Sequence, residues 1–210
     1  MTLGIALVFG AACTPPAVAD EPSPLLTRLR FDINRVAAGQ QTTPIPEATT
    51  KAFGERGGER LTLNLGLAED EGTATDLQLL AVAWSRFVVQ DVEMLVEGSV
   101  WHFEQEGDDA QGLALTLGTR WHVLNRPSWS LFLEGGIGVL GATDNVPEGG
   151  TGFNFMPRLG LGGTIDIGDS GVRAIMGVRW HHISNGRIYG DVANPSRDAP
   201  MVYVGISFPF

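Results

Sequence analysis

The sequence predicts an all-β fold, an eight-stranded antiparallel transmembrane β-barrel of the outer-membrane type. From Leu61 to Phe210 apolar residues recur at every second position over most of the chain, which is the strand period. The alternating runs extend over about ten residues or more, enough to cross a bilayer when tilted; strands of soluble sheets usually hold about five or six. The connections alternate short and long, as short periplasmic turns and longer outer loops do in such barrels. A soluble β-sandwich is the alternative, and it would turn the same apolar phase toward a core.

The chain has 210 residues and a net charge of −10, with only 18% charged residues and 28 glycines. That length fits one domain or a domain with a tail. An acidic chain without a Lys/Arg run is a poor partner for nucleic acid. The start reads as a signal peptide over residues 1–19. Leu3 to Ala12 is a short apolar run, and "AVAD" at Ala17–Asp20 places small residues for cleavage after Ala19. The lone cysteine, Cys13, falls inside that leader, so the mature chain has no disulfide and no thiolate metal site. Beyond Ala19 no apolar run approaches the roughly 18 residues of a transmembrane helix. Residues 20–58, rich in Pro, Thr and Gln, read as an N-terminal extension on the periplasmic side, and residues 59–210 as the barrel.

Within the barrel, Leu61, Leu63, Leu65 and Leu67 alternate with Thr62, Asn64 and Gly66. Strands follow at about 77–87, where the phase is not clean, and at 91–103. Leu113, Leu115, Leu117 and Trp121 define the fourth strand. Trp129, Leu131, Leu133, Ile137 and Val139 define the fifth, and Phe153, Phe155, Leu159, Leu161, Ile165 and Ile167 the sixth. The seventh spans 172–184, and the last sets Val202, Val204, Ile206, Phe208 and Phe210 outward. Gly, Thr, Asn, Arg, Glu and Asp occupy the other phase, as in a narrow barrel interior. Arg173 and Arg179 belong to that interior and are expected to pair with Glu93, Glu97, Glu134 or Asp166. Trp84, Trp101, Trp121, Trp129 and Trp180 fall near strand ends, as aromatic girdles do, and His102 and His122 are expected at the rims. Four longer connections are expected, at Ala68–Asp76, Glu104–Gln111, Gly141–Gly152 and Asn185–Ala199. If Phe210 ends on the periplasmic side, the seventh strand runs outward and its following loop lies at the outer rim.

That rim carries most of the chemistry, in "VRWHHISNGRIYGDVANPSRD" from Val178 to Asp198. Counting by twos from Val178 and Trp180 puts His182 and Ser184 on the lipid-facing wall. Arg179, His181 and Ile183 fall on the inner phase. His at i and Ser at i+2 lie about two 3.3 Å rises apart on one face, so imidazole and hydroxyl can meet. A serine needs a base to become a nucleophile, and the base needs an acid to hold its tautomer. Asp191 and Asp198 are the candidate acids, and Asn185 and Asn194 could donate to a developing oxyanion. His181 and His182 point to opposite faces, so a shared metal is disfavoured and none is expected.

"HISN" at His182–Asn185, then "NPSRD" at Asn194–Asp198 and a final strand, resemble the PagL-type lipid A 3-O-deacylases, eight-stranded outer-membrane enzymes with a Ser-His-acid triad on the exterior. The motif covers the last thirty or so residues. By position the resemblance implies Ser184 as nucleophile, His182 as base and Asp198 as acid. It implies Asn194, Asn185 and Gly186 around the oxyanion and substrate. Three features depart from the family pattern. Asp stands where Glu is usual, the loop between the asparagines is longer, and Arg187 follows Gly186, which leaves the backbone oxyanion donor open. The implied activity is an esterase that removes an acyl chain from lipid A, without cofactor. Its expected partners are lipid A and the outer membrane, with a homodimer left open. A non-enzymatic barrel with working outer loops, an adhesin or structural protein, is the first rival; the acidic loop Glu104–Asp109 would suit it. Another lipid-active barrel enzyme, a phospholipase or acyltransferase, is the second.

Overall fold

The computed structural model describes residues 51–69 and 76–210. The expected leader, the extension up to residue 50 and the tip of the first long connection lie outside the described residues. Eight strands form one closed barrel: β1 (Glu59–Glu69), β2 (Asp76–Val89), β3 (Val92–Glu104), β4 (Ala110–Asn125), β5 (Trp129–Val146), β6 (Thr151–Asp166), β7 (Arg173–Ile183) and β8 (Arg197–Pro209). Every neighbouring pair is antiparallel, and β1 closes on β8 with Leu65 opposite Val204. Closure leaves no unpaired strand edge, which is the condition for spanning hydrocarbon with strands. No described helix is long and apolar enough to cross a membrane; the strands do so.

The period of two is realised as expected. Leu61, Leu115, Leu131, Leu159, Val178 and Val204 are all exposed on the outer wall, an apolar band far larger than a water-facing surface tolerates. The residues between them are buried in the lumen. The second strand has no clean phase in the sequence because its inward residues Leu77, Leu79, Ala81, Ala83 and Phe87 are as apolar as its outward ones. Two other expectations are corrected. Trp101 is no girdle residue: it is buried in the lumen and stacks on Phe103 with ring centroids 5.7 Å apart. His122 is near a strand end but also points inward, with Nδ1 2.9 Å from Ser130 Oγ and Nε2 3.3 Å from Glu93 Oε1. The connection expected at Gly141–Gly152 is shorter than its sequence suggests, because β5 and β6 run on to Val146 and from Thr151.

The lumen is filled in layers. At the outer end Leu77, Leu79, Trp101, Leu140, Met156 and Ile183 form an apolar cluster. Below it runs a chain of alternating charges. Arg158 binds Glu97, and Glu97 Oε2 lies 3.4 Å from Arg179 Nη2. Arg179 Nε reaches Glu134 Oε1 at 2.5 Å. Glu134 Oε2 meets Arg120 Nη2 at 3.3 Å, and Arg120 Nη1 meets Glu93 Oε1 at 2.6 Å. As expected, Arg173 pairs with Asp166, at 2.8 Å, and Arg179 with Glu97 and Glu134. Glycines make room for the large side chains among them: a Cβ at Gly162 would stand 2.5 Å from Phe132, and one at Gly177 2.8 Å from the Tyr203 ring.

At the end with the short turns, the segment 51–58 packs onto the barrel. The Phe53 ring makes edge contacts with Phe87 and His122 at 5.4 and 4.9 Å. The Arg173 guanidinium sits 3.7 Å from its centroid. Backbone bonds from Gly57 to Phe87, from Phe87 to Gly58 and from Asp91 to Gly54 tie the segment down. These last residues of the expected extension therefore pack with the barrel.

The charge chain generates a stability prediction. Removing one partner of a buried ion pair leaves an uncompensated charge and costs about 3–5 kcal/mol. Glu134→Gln, which strips the shared carboxylate from Arg120 and Arg179, should lower the unfolding free energy by that amount. Glu106→Gln, on an exposed loop, should stay within about 0.5 kcal/mol. Reversible urea unfolding in lipid vesicles measures both.

Candidate active site

The outer end of β7 is fixed from inside. Arg179, His181 and Ile183 are all buried in the lumen. Ile183 packs into the apolar cluster, and His181 meets Trp101 edge to face at 5.2 Å. Alternation then leaves His182 on the outer wall beside Trp180, their ring centroids 5.8 Å apart. The adjacent histidines thus lie on opposite faces of the sheet.

Asp198 stands directly across from His182 in the β7–β8 register. Facing residues on one side of an antiparallel pair hold their Cβ atoms about 4.5–5.5 Å apart, close enough for a short acid. The His182 Nδ1 to Asp198 Oδ1 distance is 2.8 Å, so Asp at this position reaches the imidazole without the extra methylene of Glu. The other candidate acid, Asp191, instead binds Arg187, with Oδ1 3.2 Å from Nε. The bond at Nδ1 assigns the imidazole proton to that nitrogen when the ring is neutral, leaving Nε2 as the basic one.

Ser184 follows Ile183 at the end of the strand. It pairs with Phe155 of β6 through Ser184 N to Phe155 O at 3.2 Å and Phe155 N to Ser184 O at 2.7 Å. Pairing residues share a face, and Phe155 is on the outer phase with Phe153 and Leu159, so Ser184 faces outward too. It is nevertheless 9% exposed, more sheltered than a bare position on the lipid wall. His182 and Ser184 are neighbours on one face, but among the described residues the imidazole bonds only to Asp198. Catalytic hydrogen bonds often tighten only once substrate is in place.

The loop after Ser184 is built around two asparagines. The Asn185 amide donates to Ala193 O at 2.6 Å and to Thr151 Oγ1 at 3.2 Å, and its Oδ1 accepts from Arg187 N at 2.9 Å. Both amide hydrogens are therefore committed to the loop, and Asn185 acts as a brace; its side chain has no donor left for an oxyanion. Asn194 accepts the Asn185 backbone N–H on Oδ1 at 2.9 Å. That bond fixes which end of its amide is oxygen and leaves its NH2 group free to donate. Gly186 and Arg187 both have φ of 63°, and Ile188 N donates to Asn185 O at 3.3 Å. Positive φ at both central positions is the mark of a type I′ turn. The Gly186 amide lies at this turn, next to Asn185, and has no partner among the described residues. It is an available backbone donor two residues after Ser184. The brace made by Asn185 escapes sequence reasoning because its partners are the Thr151 hydroxyl at the start of β6 and the Ala193 backbone carbonyl.

A family model described as lipid A 3-O-deacylase (PagL) matches residues 77–207. Among solved structures, the outer membrane enzyme PagL superposes with a TM-score of 0.54 at 18% identity, covering 71% of this chain and 99% of that one. Neisserial surface protein A gives a TM-score of 0.52 at 10% identity, covering 73% and 96%. The N-terminal barrel of Pseudomonas aeruginosa OprF gives 0.51 at 14% identity, covering 74% and 98%. At these identities the structural likenesses establish the outer-membrane barrel fold. No curated protein matches the chain.

The brace yields a test independent of chemistry. Asn185→Ala leaves Arg187 N and the Ala193 carbonyl without their partner, a loss of about 1–3 kcal/mol where such groups are buried. Amide exchange across residues 186–196 should quicken by roughly tenfold or more, with the β-strands unchanged. Hydrogen–deuterium exchange read by mass spectrometry measures it.

Proposed function

The chain belongs to the PagL family of lipid A 3-O-deacylases, and on that premise we propose that Ser184, His182 and Asp198 cleave an ester-linked acyl chain, the 3-position one, from lipid A. Family membership makes the protein an outer-membrane lipid A deacylase, a hydrolase. The serine mechanism and the acyl position are the reading proposed here. One observation carries it: His182 and Asp198 are bonded at 2.8 Å on the outward face of two paired strands, two residues from Ser184.

Ser184 Oγ attacks the ester carbonyl while His182 Nε2 takes the hydroxyl proton. Asp198 holds the imidazole in the Nδ1–H tautomer and stabilises the imidazolium that forms. The carbonyl oxygen becomes an oxyanion, received by the Asn194 NH2 group and the Gly186 N–H. Donors set in place before charge develops are worth about 10²–10³ in turnover each. Collapse of the tetrahedral adduct breaks the bond to the sugar oxygen, and His182 returns the proton to that leaving group. Water, activated by the same imidazole, then releases the fatty acid and restores Ser184. Because the constellation lies on the outer wall at the outer rim, the ester arrives laterally within the leaflet and no deep pocket is needed.

Mass spectrometry of lipid A from a Gram-negative host expressing the protein tests the reading. The wild type should remove one acyl chain, with the vacated hydroxyl at the 3-position by tandem fragmentation, and Ser184→Ala should remove none. Loss of the acid's tautomer control costs about 10⁴ in turnover in the serine-protease template, so Asp198→Asn should approach a knockout. Asp198→Glu should be tolerated and Asp191→Asn mild. A damaging Asp191→Asn with a mild Asp198→Asn would reverse the assignment. Intact phospholipids should not be hydrolysed, and water-soluble short-chain esters should be poor substrates.

A further inference from the structure

The outer end of the barrel is acidic almost throughout. Its connections and adjoining strand ends expose Glu104, Glu106, Asp108, Asp109, Asp144 and Glu148. Among the described residues its only arginine or lysine side chains are Arg187 and Arg197, and both belong to the segment between Ser184 and Asp198. The same segment exposes an apolar tip: Ile188 at 59%, Tyr189 at 62% and Val192 at 98%. Apolar side chains left open at the membrane boundary, four to eight residues from the proposed nucleophile, are suited to the acyl chains and sugar headgroups of the outer leaflet. The structure is arranged to hold that tip in place. Asn185 and Asn194 brace its base, Gly186 and Arg187 form its first turn, and Gly190 at φ 92° closes a second turn through Gly190 N to Arg187 O at 3.0 Å.

From this we infer that the β7–β8 loop is a recognition arm for the phosphorylated headgroup of the substrate, with Arg187 as its phosphate ligand. The inference rests on the lipid A reading above. Arg187 Nε lies 3.2 Å from Asp191 Oδ1, and both partners are largely exposed. An exposed ion pair of this kind contributes only about 0–1 kcal/mol, so it tethers the guanidinium without consuming it. The two Nη groups remain for a bidentate phosphate contact, a geometry that guanidinium supports and ammonium does not. Carboxylates elsewhere on the rim have no such cations beside them and repel an anionic headgroup, whereas in this loop Asp191 and Asp198 are offset by Arg187 and Arg197, so the approach is funnelled toward the loop that also carries the proposed oxyanion donors. The apolar tip, seated among the acyl chains beside the headgroup, sets its depth. Arg187 is thereby a specificity residue, bound to a part of the substrate remote from the scissile ester.

Steady-state kinetics of the purified barrel in neutral-detergent micelles, on bis-phosphorylated lipid A and on the same glycolipid with its phosphates removed, test the arm. The wild type should show a KM about tenfold lower for the phosphorylated lipid, the scale of a charge-assisted bond. Arg187→Gln should erase that difference while leaving kcat within about twofold, and Arg187→Lys should restore only part of it. A parallel measurement needs no turnover: binding of both lipids to the Ser184→Ala barrel, followed by tryptophan fluorescence, should show the same dependence on phosphate and on Arg187. Equal affinity of the wild type for the two lipids, or a preference that survives Arg187→Gln, overturns the proposal. Turnover that survives Ser184→Ala would sink the serine mechanism instead and leave the binding result to judge the arm.

Discussion

On a closed, hydrogen-bonded ring of strands each residue has one of two destinations, and the inward one is finite. Along β7 the inward positions are taken by Arg179, His181 and Ile183, each fully packed against partners from other strands. Shifting the strand by one residue would drive a guanidinium into lipid and would flip the whole side-chain set. His182 and Ser184 are therefore held on the outer wall as firmly as the interior is packed. The exterior site depends on its interior neighbours for its orientation, although none of them touches a substrate.

The interior that imposes this is itself divided. The apolar layer behind the site, with Ile183 and Trp101 in it, supplies close packing just where positional precision is useful. The charged chain from Arg158 to Glu93 lies deeper, where it stabilises by mutual satisfaction. Glu134 is shared between two guanidiniums, and its loss leaves three guanidiniums facing two carboxylates, so the network behaves as one unit. Cross-strand pairing does the rest at the site. His182 and Asp198 are register partners on the last hairpin, while Ser184 is bridged to Phe155 on the strand before it, so three consecutive strands contribute and the β1–β8 seam contributes nothing.

What could be read in advance follows from the same physics. Strands with polar interiors, such as β1, announce themselves by alternation. Strand β2 does not, because Leu77 and Leu79 face the apolar layer, Phe87 packs against Phe53 and His122 at the other end, and Leu80, Val82 and Trp84 face lipid. Trp101 and His122 mislead for a related reason: residue type and proximity to a strand end suggest a girdle or rim, but the face is decided by parity. The contact of Asp198 with His182 was legible through its family spacing from Asn194, and the register supplies the physical reason that an aspartate reaches the ring. The brace at Asn185 and the open amide of Gly186 were not legible, since they depend on how a loop folds back on its neighbours. Residue identity sets what those groups can donate, and only the turn geometry sets which of them is already spoken for.

The filled lumen has a consequence for the cell envelope. Among the described residues, the ring of eight strands is stacked with inward side chains and covered at its inner end by Phe53 between Arg173 and His122, a filling that works against the passage of water and solutes. On the reading proposed above, the chemistry lies on the outer wall and needs no such passage. Such a protein can accumulate in the outer membrane in high copy without adding to its permeability, so the extent of surface remodelling can be set by expression alone, independently of the barrier that the remodelled surface maintains.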